Sequence, residues 1–276
     1  MSGGFREPDE GVHMLRLGAR ILSATLLMAF AVGCNETGFT TAAGTSAQSD
    51  ALPDEAPPIC DPFSNGGKKD PTKGVRATLH YYEVGDPRIS SIKNSLDFLP
   101  GVPGVVTSPN PVYLNQLDVP TRAFSDGFVG GDGQLLRTAN GEALIEWFSL
   151  RMASNLTAPT TLDDGEYQFA MNSDDGALLK VDTNGDGVYE PLVDDDTIHS
   201  PHMKCATRTV TVKNGKLLPF TLDYFQGPRV LITLQLLWKR VPAGGALETS
   251  CDLANFTPVP AAAFELDPGR PNPCAK

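Results

Sequence analysis

Gly165-Glu166-Tyr167-Gln168-Phe169-Ala170-Met171-Asn172-Ser173-Asp174-Asp175-Gly176-Ala177-Leu178-Leu179-Lys180 is the stretch on which the fold turns. Tyr167, Phe169 and Met171 alternate with Gln168 and Ala170, the period of a strand with one buried face. The strand runs into Ser173-Asp174-Asp175-Gly176, two adjacent carboxylates closed by a glycine. Such a compact, oxygen-rich corner suits a turn, and it also suits a hard cation such as calcium.

The same period recurs on both sides. Val75, Ala77, Leu79 and Tyr81 share one face, as do Leu218, Phe220, Leu222 and Tyr224. Val230, Ile232, Leu234, Leu236 and Trp238 make a third set. Turn signals separate these runs at Asn184-Gly185, Asp186-Gly187, Asn214-Gly215 and Gly227-Pro228. Residues Asn94–Asp132, rich in Pro and Gly, read as long surface loops. Ala143–Met152 fits helical spacing as well as a strand, through Leu144, Phe148 and Met152. No βαβ alternation is visible, so the expectation is an all-β, antiparallel sandwich.

The ends of the chain read differently. From Met14, a possible alternative start, Arg16 and Arg20 precede the apolar run Ile21–Gly33 and then Cys34. This is the pattern of a secretory signal, and the run is shorter than the roughly 20 residues of a spanning helix. Ala31-Val32-Gly33-Cys34 resembles the bacterial lipobox, in which the cysteine takes lipid. The expected organisation is a signal peptide over 1–33 and a lipidated Cys34 with a flexible tether over 34–73. A sandwich domain follows over 74–241, then a Pro-rich tail over 242–276. With Cys34 set aside, Cys60, Cys205, Cys251 and Cys274 leave an even number, as two disulfides in an oxidising compartment require. Three pairings are open; Cys205–Cys251 with Cys60–Cys274 is favoured, because the latter ties the two tails together. No CxxC spacing points to zinc or redox chemistry.

Charge narrows the partners. The 276 residues hold 22 Lys and Arg against 33 Asp and Glu, a net charge of −11. That excess repels nucleic acid, whose binding needs cations to neutralise phosphate, and it tolerates divalent cations. A second acidic loop, Asp182-Thr183-Asn184-Gly185-Asp186-Gly187-Val188-Tyr189-Glu190, places side-chain oxygens at alternate positions. Val193 stands where an EF-hand needs its bidentate Glu, so Asp182, Asn184, Asp186 and Glu190 fit a shorter calcium loop better. The competing reading is a hairpin built on the two Gly steps. The loop lies one strand after Asp175, so both acidic loops are expected along one edge of the sandwich. His199 and His202 form a His-x-x-His pair before Cys205, read as a solvated loop, with a metal role as the lesser alternative. No Gly-x-Ser-x-Gly elbow, His-Glu-x-x-His or phosphate loop appears, so a non-catalytic role is expected.

In combination these residues resemble the domain family named after the N-terminal fragment of anthrax protective antigen, the PA-fourteen (PA14) family. The matching features are Thr78-Leu79-His80-Tyr81-Tyr82, Phe148-Ser149-Leu150-Arg151, Pro159 and Gly165–Phe169. The hallmark Ser173–Leu179, Gly215, Pro219–Tyr224 and the closing strand to Trp238 complete them. The resemblance covers Val75–Arg240 and implies a jelly-roll-like β-sandwich. In the adhesin branch it implies a calcium ion on the paired aspartates, here Asp174 and Asp175, which in turn holds sugar hydroxyls. Those adhesins complete the site with an Asn loop; this chain has Phe225-Gln226-Gly227-Pro228 there, making Gln226 the candidate ligand residue. The function expected is glycan or cell-surface recognition by an exported lipoprotein, lipid-anchored to the bacterial cell envelope at the outer membrane. The alternative is a structural or protein-interaction component of the envelope, with glycoside hydrolysis a more distant one.

Overall fold

The structure, a computed structural model, describes residues 56–63, 69–124 and 135–275. The signal segment, Cys34 and most of the tether lie outside them. Among the described residues no helix is long and apolar enough to cross a membrane.

Alternating apolar sequence produces two sheets with a shared interior. The first has nine strands, with β1 (Ile59–Cys60), β4 (Val112–Leu114), β2 (Val75–Tyr82), β6 (Phe148–Leu156), β11 (Leu218–Gln226), β8 (Ala177–Val181) and β9 (Glu190–Asp195) in that order. β3 (Val105–Thr107) pairs with β2, and β14 (Phe264–Glu265) pairs with β6. The second sheet orders β10 (His202–Val212), β7 (Gly165–Asp174), β12 (Leu231–Val241) and β13 (Thr257–Pro258), with β5 (Asp118–Ala123) also on β12. β1 runs parallel to β4; the other pairings between these strands are antiparallel. The inward residues of both sheets form one core, in which Leu79, Leu150, Phe169, Leu222 and Leu234 are fully buried. Within that core the Trp238 and Tyr167 rings pack 4.6 Å apart, centroid to centroid.

Four sequence expectations are corrected or settled by this packing. Of residues 94–132, the described part, 94–124, is more than surface loop: it contributes β3, β4 and β5, and buries Phe98, Leu114, Leu117 and Val119. The helical spacing of 143–152 is not realised: 148–152 lie in β6, where Phe148, Leu150 and Met152 face the core, and 143–147 lead into it without a helix. Val230 falls outside its strand and is 70 % exposed, since the 227–230 turn ends only at Leu231. β7 is buried on both faces rather than one. Its outer face is covered by the tail, where Phe256 packs on Ala170 and Leu237. Gln168, also outward, is satisfied by Ala206 O, Glu248 O and the Glu248 N–H, at 2.8–2.9 Å.

The tail is stapled as well as packed. Disulfides join Cys60 to Cys274 and Cys205 to Cys251, the pairing favoured from sequence. The first ties the start of the described fold to its end, and the second fastens the tail to β10.

Candidate functional site

β7 ends at Asp174, and the chain turns through Asp175 and Gly176 into β8. The Asp174–Asp175 peptide bond is cis. Both residues are buried, at 4 % and 2 % exposure, yet both line a pocket of about 270 Å³. Its other walls are Ile198–Pro201 from the β9–β10 connection and Pro228–Leu231 from the β11–β12 turn.

The corner is held by a small set of contacts. Asp175 Oδ2 accepts from the Gly227 N–H at 2.6 Å, and Oδ1 accepts from the His199 N–H at 3.2 Å. The Tyr224 hydroxyl lies 2.7 Å from both Asp174 O and Gln226 Oε1. Two glycines let the backbones meet. A Cβ on Gly227 would stand 2.8 Å from Asp175 Oδ2, and one on Gly176 would stand 2.3 Å from the Phe225 ring. Beneath the corner, Phe225 packs with Tyr82, Ile92 and Phe98.

The electrostatics of the pair are set by burial. Burial pushes the Asp174 carboxyl up to about 7, with the neighbouring Asp175 charge adding to it. Burial pushes Asp175 up to about 6, against the two N–H groups that favour its charged form. No hydrogen-bond donor among the described residues reaches the Asp174 carboxylate. Two hard oxygen groups that resist ionisation side by side are relieved by a divalent cation. The donor set therefore fits calcium.

The other expected residues are placed differently. Gln226 is fully buried, and its side chain is occupied by Tyr224 and by Leu231 O, 3.2 Å from Nε2. It braces the β11–β12 turn and is not among the residues that line the acidic pocket. The second acidic loop forms the hairpin turn: Asp182 accepts from the Gly185 and Gly187 N–H groups at 2.7 and 2.9 Å. Asn184 and Asp186 accept from Asp186 N and Val188 N in the same turn. Glu190 points to Arg208, 3.3 Å away. The two loops do not share an edge, because β8 separates them and its five residues span about 17 Å. At the Asp182 end a separate pocket of about 400 Å³ is lined by Arg208, Lys213 and Lys216 as well as Asp182 and Glu166.

Sequence reading missed Asp195. It ends β9, and its Oδ2 lies 3.3 Å from His199 Nε2 and 3.0 Å from His202 Nε2. The His-x-x-His spacing was visible; the strand end that meets it was not.

Architecture and corner define an antiparallel two-sheet sandwich with a buried acidic pair at a strand turn. Residues 145–248 match the family model of the PA14 domain, and this segment of the chain is a PA14 domain. No curated protein matches the sequence. Several solved structures are similar. An anti-sigma factor domain-containing protein matches at 17 % identity and TM-score 0.42, over 71 % of this chain and 49 % of its own. The chain thus spans about half the length of that protein. A PA14 sugar-binding domain from an RTX adhesin matches at 14 % identity and TM-score 0.44, over 71 % of this chain and 99 % of its own. The Candida glabrata epithelial adhesin 6 A domain, in complex with Galβ1-3GlcNAc, matches at 14 % identity and TM-score 0.46. It covers 79 % of this chain and 97 % of its own.

Proposed function

We propose that the PA14 domain of this exported protein is a non-catalytic binding module that takes a glycan through a calcium ion held by Asp174 and Asp175. The observation that carries this reading is geometric: two adjacent carboxylates, Asp174 and Asp175, line one pocket at a strand turn, with no donor among the described residues on Asp174. Calcium takes six to eight oxygens, and two carboxylates at a turn leave most of that shell for water or sugar hydroxyls. The surroundings suit the apolar face of a sugar ring. Arg229 divides the acidic pocket from a groove of about 660 Å³ lined by Tyr82, Ile89, Leu144 and Trp147. It is fixed there by Glu146 at 2.9 Å and by the Phe124 ring at 5.1 Å.

The two disulfides are those of a chain folded in an oxidising compartment. Attachment through a lipid on Cys34 completes the proposal, placing the domain at the end of a tether on the cell envelope. A second reading, a protein partner, is favoured by the exposed Val84, Ile198 and Val230, which lie on the rims of the same two pockets.

A glycan array probed with the full chain, in millimolar calcium and in chelator, tests the proposal. Binding should appear only with calcium and should vanish in Asp175→Asn. Binding that survives chelator moves the ligand elsewhere. A blank array with an intact calcium-dependent melting shift leaves the protein-partner reading.

A further inference from the structure

We propose that Asp195, His199 and His202 form a binding site for a divalent transition metal of the zinc class, distinct from the acidic pair. Among the described residues this is the set whose three ligand atoms lie within 4.8 Å of one another. Asp195 Oδ2 stands 3.3 Å from His199 Nε2 and 3.0 Å from His202 Nε2. Two ligands about 2.1 Å from a tetrahedral zinc stand about 3.4 Å apart, so these separations need little adjustment.

Hydrogen-bond counting supports the metal. Asp195 Oδ2 is buried, with no hydrogen-bond donor among the described residues other than the two imidazole rings. The Nδ1 atoms of His199 and His202 both lie near Ser200 O, at 3.0 and 3.2 Å. A neutral imidazole has one N–H. If each ring gives it to Ser200, both Nε2 atoms present lone pairs, and both face Asp195 oxygens, His199 Nε2 also being 3.1 Å from Asp195 O. Lone pairs meet lone pairs, and a divalent cation resolves this where two extra protons would set two imidazolium rings 4.1 Å apart. A backbone carbonyl on Nδ1 is also the usual way a metal-binding histidine is oriented. Nitrogen ligands select zinc, copper or nickel over calcium.

The location gives the metal a role. Asp195 ends β9 in the first sheet, and His202 opens β10 in the second. The ion would clamp the crossover between the sheets, and His199 also reaches the wall of the acidic pocket. Three protein ligands leave a fourth position for water or a ligand group.

Zinc alone, titrated calorimetrically into the metal-stripped full chain, tests the site. One zinc should bind per chain and raise the melting temperature, and cobalt in its place should give visible absorption of a four-coordinate centre. Asp195→Asn and the half-exposed His202→Gln should each weaken binding by about 100-fold, with the metal-free melting curve of His202→Gln unchanged. Asp174→Asn should bind zinc as the wild type does. No saturable binding, or full affinity in His202→Gln, overturns the proposal. So does loss of zinc in Asp174→Asn, which would assign the ion to the acidic pair.

Discussion

Asp174 and Asp175 make stability depend on pH in a direction opposite to most carboxylates. In the unfolded chain both titrate near 4; in the fold they titrate at about 7 and about 6, chiefly because they are buried. Between those values the folded state holds more protons than the unfolded one. Their contribution therefore falls as pH rises from about 4 to about 7, and the whole penalty is present above that. His80 acts the other way. Burial, with the Arg151 charge, lowers it to about 4. Below its unfolded value the unfolded chain takes the proton and the fold does not, so its contribution is lost as pH falls toward 4. The two windows overlap, so the informative quantity is the difference between calcium and chelator. The calcium-induced rise in melting temperature should be large at pH 8, small at pH 5, and reduced at both in Asp175→Asn. An equal rise at both pH values would take the ion away from this pair. The candidate residues were legible because a doubled Asp followed by Gly is local. Their titration was not legible, because it comes from burial by segments that the sequence does not place beside them.

At the scale of elements, the acidic corner depends on turns meeting across the sandwich. Gly227→Ala would place a Cβ 2.8 Å from Asp175 Oδ2. Neither the β11–β12 backbone nor the corner yields easily, so the variant should cost about 1–3 kcal/mol and lose the calcium-dependent melting shift. A urea titration with and without calcium reads both; a variant as stable and as calcium-responsive as the wild type would show that the turns are free to separate. β7 shows why one-sided alternation can mislead. Tyr167, Phe169 and Met171 do face the core, but Ala170 and Gln168 are buried too, because the tail is laid over the second sheet. Phe169→Ala should cost about 3–5 kcal/mol, measured by the same denaturation. The hairpin after β8 is the converse case. Its oxygens alternate as a calcium loop's would, and the structure turns them onto its own N–H groups.

For the whole molecule, two covalent ties fasten the tail to the body of the fold. Cys60–Cys274 closes 214 residues and Cys205–Cys251 closes 46. Removing either, as a double Cys→Ser variant, should cost about 2–5 kcal/mol, with the longer loop costing at least as much. Chemical denaturation of the two double variants checks this; a Cys60/Cys274 variant as stable as the wild type would mean the tail packs without its staple. Anchoring is tested at the same scale. Cys34→Ser should move the protein from the membrane fraction to the soluble one, since stable attachment needs acyl chains. A wild type already soluble would end the lipoprotein proposal.

The sequence by itself determined the all-β class, most core faces, the family resemblance and the acidic corner. Each of these is written in period, composition or adjacent residues, which act over a few positions. Only the tertiary structure decided that Gln226 is a buried brace and that the two acidic loops sit at opposite ends of β8. It alone brought Asp195 against His199 and His202, and buried the outer face of β7. Those outcomes depend on which strands become neighbours and which segment covers them, and such pairing is settled by burying the whole core at once rather than by any local pattern.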